Sequence, residues 1–114
     1  KGEKMSLFDK MVDCFENYEP QRFRALHHEE FMFIRELQLV DLDEQCEIMN
    51  ELFKNPNFHP LRNAELVHEN HYTCEFRWDD NDEVVTNVVL KKDGLCWRSM
   101  VSRIPRLEKP NQKM

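Results

Sequence analysis

The sequence predicts an α+β fold in which helices cover one face of an antiparallel or mixed β-sheet. Two observations carry this prediction. In the first half of the chain, apolar residues recur at helical spacing along two segments. In the second half, three segments of alternating or β-branched apolar residues follow one another across short polar turns, as the strands of a meander do. Helices followed by a run of strands are typical of the α+β class.

Two helices are predicted at the start of the chain. Ser6, followed by Asp9, resembles a capping box and begins a first helix that runs to about Tyr18. Pro20 opens a short second helix, because proline is favoured at a first helical position, and this helix ends near His27-His28.

A strand and a third helix follow. Residues 29–37 alternate between two faces, which predicts a first strand, and residues 38–40 continue it after a bend. Asp41 with Glu44 forms a capping box for a helix that ends near Pro56.

The rest of the chain predicts a sheet. Four further strands are expected, at residues 64–69, 71–78, 84–90 and 95–104. Asp93-Gly94 is a two-residue hairpin signal between the last two of them. Strict alternation places Trp97 and Val101 on one face of the last strand, with Cys96 and Met100 on the other.

The central strand of this sheet predicts a partner. Residues 84–90 are apolar on both faces, so both faces are expected to be covered. The chain has few elements left to cover the second face. A homodimer through a two-fold sheet-to-sheet contact is therefore expected.

Length and composition restrict the class of protein. At 114 residues the chain is expected to form one domain, with an ordered core from about residue 6 to 105. A net charge of −6 argues against a nucleic-acid partner, since such affinity rests on clustered Lys and Arg. No apolar run approaches the roughly 18 residues that a membrane helix needs, and residues 1–4 do not lead into a secretory signal.

The cysteines predict a cytoplasmic protein. No two of Cys14, Cys46, Cys74 and Cys96 are closer than 22 positions, which excludes CxxC motifs. Each lies at an apolar phase of its element, where a free thiol behaves as a small hydrophobe. We expect buried thiols in a reducing compartment, with paired disulfides as the alternative.

Two segments resemble the nuclear transport factor 2-like superfamily, and in particular its SnoaL-like branch. Residues 24–35 are similar to that family's short helix, acidic residue and first strand, and residues 92–98 are similar to its closing hairpin. The resemblance covers about residues 6 to 105 as a pattern of elements. It implies a cone-shaped, cystatin-like fold with a strongly curved sheet, a cavity between helices and sheet, and a homodimer.

The resemblance also implies candidate site residues. Isomerases and cyclases of this superfamily place a carboxylate, or a histidine–carboxylate pair, inside the cone, and Glu30 with His28 occupies the matching segment. These two are the candidate catalytic residues, and a solvated strand start is the other interpretation of Glu30. The candidate ligand-binding residues are His27, Tyr72, Trp78, Trp97 and Arg98.

No cofactor and no metal site is predicted. Gly2 and Gly94 are the chain's two glycines, so glycine-rich phosphate loops are excluded. His68 and His71 would face opposite sides of a regular strand, and a bulge near Asn70 would be needed to bring them together.

The function expected from the resemblance is binding of a small, largely apolar molecule in the cone. Acid–base chemistry of the isomerase, cyclase or dehydratase kind is an open extension, so the sequence does not decide whether the protein is an enzyme. Two alternatives remain: a non-catalytic dimerisation or accessory module, and a structural β-type subunit of a ring-hydroxylating dioxygenase.

Overall fold

Three helices and six strands make up residues 5–107, the part of the chain that the computed structural model describes. The α+β class is confirmed. In chain order the elements are α1 (Leu7–Glu16), α2 (Pro20–Ala25), β1 (His27–Arg35), β2 (Gln38–Asp41), α3 (Leu42–Leu52), β3 (Glu65–Glu69), β4 (Thr73–Asp80), β5 (Glu83–Lys92) and β6 (Leu95–Pro105).

The six strands form one mixed sheet in the order β2-β1-β6-β5-β4-β3. β1 and β6 run parallel, and every other neighbouring pair is antiparallel. The predicted meander is therefore present as β4, β5 and β6. The helices pack against one side of the sheet, here called the inner side, where Phe8 of α1 meets Phe76 of β4 with ring centroids 5.4 Å apart.

Two segments differ from the sequence prediction because the chain turns more tightly than expected. Residues 38–41 do not extend β1 but fold back on it as β2, after a turn in which Glu36 has φ 58°. β4 extends past its predicted end at residue 78 to include Asp79 and Asp80, and Asn81, with φ 58°, begins the turn. Asparagine tolerates this left-handed region better than most residues do.

A β-bulge in β6 decides which side chains face the helices. Leu90 pairs with Arg98 while Lys91 pairs with Cys96, so Trp97 is an extra residue. An extra residue reverses the alternation that follows it. The predicted faces of this strand were therefore wrong: Cys96 and Val101 share the inner side, and Met100 is exposed on the opposite, outer side.

The buried carboxylate of Glu69 fixes α1 to the sheet. Its two oxygens accept hydrogen bonds from the backbone N–H groups of Leu7, at 2.9 Å, and Phe8, at 3.3 Å. Lys91 of β5 donates to the same carboxylate at 2.9 Å, and the two charged side chains are 9% and 11% exposed. Burial raises the pKa of Glu69, but these three donors outweigh it and hold the pKa below its usual value.

All four cysteines lie in the described range and are buried free thiols. Burial raises the pKa of each of them, and that of Cys74 reaches about 12. Over residues 5–107, no helix combines the length and the apolar character needed to cross a bilayer.

We predict that Glu69→Gln lowers the free energy of unfolding by about 3 kcal/mol, since Lys91 is then left charged and half-paired in a buried site. Urea unfolding followed by circular dichroism measures the change. Glu65→Gln, at an exposed position of the same strand, is the control, and we expect it to change stability by less than about 0.5 kcal/mol. Equal effects of the two substitutions would contradict the role given to Glu69.

Candidate functional site

A cavity of about 530 Å³ lies between the helices and the inner side of the sheet. This volume is in the range that small-molecule sites usually have. Its wall combines side chains of all three helices, of β1, β4, β5 and β6, and of the loop between α3 and β3. Most of the wall is apolar, and it includes Phe23, Phe31 and Phe33.

Strand pairing orders the wall from a closed end to an open end. The successive cross-strand rows are His27 with Cys96, then Phe33 with Ser99 and Val89, then Arg35 with Val101 and Asn87. Cys96 and Val101 are five positions apart, so these rows span at most about 16 Å. The exposed wall residues Arg35, Asp79 and Arg103 form the open end, here called the mouth.

His27 is the polar side chain at the closed end, and it is 8% exposed. Its Nδ1 lies 2.6 Å from the carbonyl oxygen of Phe23. Because a carbonyl oxygen accepts, Nδ1 carries the proton and Nε2 carries a lone pair. Burial lowers the pKa of His27 to about 4 despite the bond to Phe23, so the ring is neutral at pH 7. Nε2 has no hydrogen-bond partner within the described residues.

Two further polar residues lie on the inner side of the sheet. Ser99 donates a hydrogen bond from its hydroxyl to Oδ1 of Asn87 at 2.7 Å. With Oδ1 occupied in this way, the Nδ2 group of Asn87 is a hydrogen-bond donor. Both residues line the cavity, so its middle offers a donor while its closed end offers an acceptor.

Two buried polar atoms of the wall lack a hydrogen-bond partner within the described residues: Oε1 of Gln45 and Nδ1 of His59. Nδ1 of His59 lies 3.8 Å from a carboxylate oxygen of Glu16, which is too far for a hydrogen bond. A buried polar group without a partner costs about 1–3 kcal/mol. The cavity wall therefore carries unused hydrogen-bonding capacity.

The loop between α3 and β3 is fastened over the cavity by a salt bridge. Arg62 donates to both carboxylate oxygens of Glu16, at 2.9 Å and 3.2 Å. These hydrogen bonds hold the pKa of Glu16 below its usual value. Leu61, next to Arg62, is buried in the core and also lines the cavity.

Glu30 lies outside the cavity, which corrects the expectation that it faces inward. The pairing of β1 with β6 slips between His27 and Met32, so Glu30 sits in an irregular stretch of β1. Its exposed carboxylate accepts hydrogen bonds from Lys92 at 3.0 Å and from the indole of Trp97 at 3.2 Å. These two donors lower the pKa of Glu30, whereas a proton-transferring carboxylate would need a raised pKa.

Four other predicted residues also lie off the cavity wall. His28 is buried, but its Nδ1 accepts from the backbone N–H of Glu30 and its Nε2 lies 3.5 Å from Asp93. Trp97 is carried to the outer side by the bulge, where the guanidinium of Arg98 stacks on it at 4.0 Å. Tyr72 precedes β4 and is 76% exposed.

His27 and Trp78 are the predicted residues that do line the cavity. Gln45, His59 and Ser99 were missed by the sequence analysis. Asn87 was missed as well, although a signal was present, because it is an amide within an otherwise β-branched and apolar strand. Within the described range, no cluster of three or more His, Cys, Asp or Glu side chains is arranged to hold a metal.

We predict that acid destabilises the fold through His27. Its pKa is about 4 in the folded protein and 6.5 ordinarily, so the unfolded chain binds the proton more tightly between these values. The contribution of the neutral His27 ring to the free energy of unfolding is fully present above pH 6.5 and is lost as the pH falls towards 4. From pH 7 to pH 5 the parent should lose about 2 kcal/mol more than His27→Asn, as measured by urea unfolding. Parallel losses in the two proteins would contradict the assignment.

No protein-family model and no curated protein matches the chain. Solved structures do match. A nuclear transport factor 2-like protein of unknown function from Burkholderia xenovorans LB400 is 7% identical with a TM-score of 0.63, over 92% of this chain and 85% of that chain. One from Mesorhizobium loti is 14% identical with a TM-score of 0.61, over 91% and 97%.

A candidate ketosteroid isomerase from Kribbella flavida DSM 17836 is 15% identical to the chain. Its TM-score is 0.57, over 93% of this chain and 81% of that chain. Identities this low establish the fold and nothing about activity. The chain has the nuclear transport factor 2-like fold.

Proposed function

We propose that this protein binds a small, largely apolar molecule in the cavity between its helices and its sheet. The observation that carries the proposal is the unfilled space itself, which is walled by phenylalanine and aliphatic side chains. At its closed end lies Nε2 of His27, which has no hydrogen-bond partner among residues 5–107. Closely packed interiors leave few such spaces. A largely apolar cavity with a few placed polar groups is the usual form of a small-molecule site.

Binding is better supported than the acid–base chemistry that isomerases, cyclases and dehydratases of the nuclear transport factor 2-like superfamily perform. A general base works best when its pKa is near the working pH. His27 has a pKa of about 4 and is therefore a weak proton acceptor at neutral pH. Glu30 and His28 do not reach the cavity, so we assign them no part in binding. The isomerase-like extension would have to use another wall residue, such as His59.

We further propose a homodimer through the outer side of the sheet. Cross-strand neighbours there form a continuous apolar row. Its members are Leu39, Ile34, Met100 and Val88. Glu75 and Arg77 lie beside this row on β4, so the face carries both charges and can match a second copy of itself across a two-fold axis. This face also supports the second candidate function, a non-catalytic dimerisation module.

The proposed ligand site predicts that Leu52→Trp weakens binding of an apolar probe. Leu52 lines the cavity and is 42% exposed, so a larger ring can enter the open space without disturbing the buried core. We expect the affinity for N-phenyl-1-naphthylamine, measured by its fluorescence, to fall by at least about tenfold, which corresponds to about 1.4 kcal/mol.

Leu66→Trp is the matched control, since Leu66 is 44% exposed but lies on β3 away from the cavity. We expect it to bind the probe like the parent. Glu30→Gln should also leave binding unchanged, because Glu30 lies outside the wall. Equal loss in both tryptophan variants, or no binding by the parent, would refute the cavity as the site.

The proposed dimer predicts that Met100→Glu gives a monomer. Met100 lies between Ile34 and Val88 in the outer apolar row, and a two-fold contact there would bring two like charges together. Light scattering at micromolar concentration should give a dimeric mass for the parent and half that mass for the variant. Leu66→Glu, outside this row, should stay dimeric. A monomeric parent would rule the dimer out.

A further inference from the structure

His27 restricts the chemical class of the ligand, an inference that rests on the proposed ligand site. We infer that the cavity takes an uncharged ring compound bearing a hydroxyl group, and that this hydroxyl donates its hydrogen bond to Nε2 of His27. The orientation of one imidazole ring, the aromatic side chains around it and the position of the charged residues each contribute to this assignment.

The orientation of the imidazole fixes the direction of the hydrogen bond to a ligand. Nδ1 donates the single N–H of the neutral imidazole to the carbonyl oxygen of Phe23, 2.6 Å away. Nε2 is therefore able only to accept. The oxygen of a ketone, ether or ester has no proton to donate, so its lone pair would face the lone pair of Nε2. An O–H group would instead donate a hydrogen bond to Nε2. The ligand must bring the donor.

The aromatic side chains beside His27 restrict the shape of the ligand near its hydroxyl group. Phe23 and Phe31 pack on the imidazole with ring centroids 4.3 Å and 4.6 Å away. Both phenylalanines also line the cavity. Aromatic rings pack well against other rings in tilted or edge-to-face arrangements. A hydroxyl carried directly on a ring would let its ring meet these side chains while its oxygen reaches Nε2.

The position of the charged residues excludes a charged ligand at the closed end. The charged residues of the wall are at the mouth and already have partners: Arg103 pairs with Asp80 at 2.8 Å and with Glu83 at 3.2 Å. Arg35 donates to the side chain of Gln38 at 3.0 Å. A carboxylate beside His27 would therefore be buried without a cation, and it would meet an acceptor instead of a donor.

The middle of the cavity offers the complementary group. Nδ2 of Asn87 is a donor two rows nearer the mouth, with its Oδ1 held by Ser99. A ligand with an acceptor such as a carbonyl or ether some distance from its hydroxyl would use both groups. The closed end thus requires a hydrogen-bond donor from the ligand, whereas the middle requires an acceptor. A ligand that has both is expected to enter with its hydroxyl group first.

Three probes with one ring system test the inference: 2-naphthol, 2-methoxynaphthalene and 2-naphthoate, titrated calorimetrically into the full chain at pH 7. We expect 2-naphthol to bind about three- to tenfold more tightly than the ether, the range that one net hydrogen bond supplies. We expect 2-naphthoate to bind more weakly than both.

His27→Asn removes the acceptor at the position of Nε2, because the amide side chain is shorter than the imidazole, but it keeps an N–H group that can reach the carbonyl of Phe23. In this variant the two neutral probes should bind alike. His28→Asn is the matched control, because His28 is the adjacent buried histidine and does not line the cavity. It should keep the difference between the probes. Because the two probes share one ring system and are compared within each variant, any effect of the substitution on the shape of the cavity changes both affinities alike.

The outcomes separate this inference from the proposed function. If the ether binds as tightly as 2-naphthol to the parent, or if the difference survives in His27→Asn, the role of His27 is overturned while the cavity stands. If 2-naphthoate binds most tightly, the ligand class is wrong. If neither neutral probe binds the parent, the proposed ligand site fails and the inference fails with it.

Discussion

The structure depends on one buried ion pair that joins its two layers. Glu69, from the edge strand β3, caps the first two N–H groups of α1 while Lys91 of β5 balances its charge. Opposite charges attract strongly in a site that is largely shielded from water, and each lost partner leaves a charge uncompensated. At the other end of α1, Glu16 is held by Arg62. Polar contacts therefore fix both ends of the helix, and the space beneath its middle need not be filled by side chains to keep it in place.

The resulting cavity is graded in polarity. Its closed end combines aromatic rings with one neutral imidazole, its middle carries a serine–asparagine pair, and its mouth carries charged side chains that neutralise one another. The charged mouth follows from the strands, because the last inner positions of β1 and β6 that line the cavity are Arg35 and Arg103. Selectivity in such a site comes from the direction of a few hydrogen bonds, while the apolar wall supplies most of the affinity.

Local sequence signals predicted the elements well and the site poorly. The capping box of Asp41 and Glu44 and the hairpin at Asp93-Gly94 are present, because such features depend on residues close in sequence. The prediction that the side chains of Glu30 and Trp97 point into the cavity was wrong, because both residues lie where the strand pairing shifts register. Pairing across β1 and β6 joins residues more than sixty positions apart, and no local pattern reports it. His27 was named because it lies in the segment that resembles the family, although the sequence placed it at the end of a helix and the structure places it at the start of β1.

Trp97 has a consequence for how β6 tolerates a change in its length. As the extra residue of the bulge, it stands between two regular pairs, Cys96 with Lys91 and Arg98 with Leu90. Deleting it would make those two pairs consecutive, so Ser99 and Val101 would still face the cavity and Met100 would still face outward. The loss of this single codon would thus be absorbed locally, and the lining of the cavity would survive it.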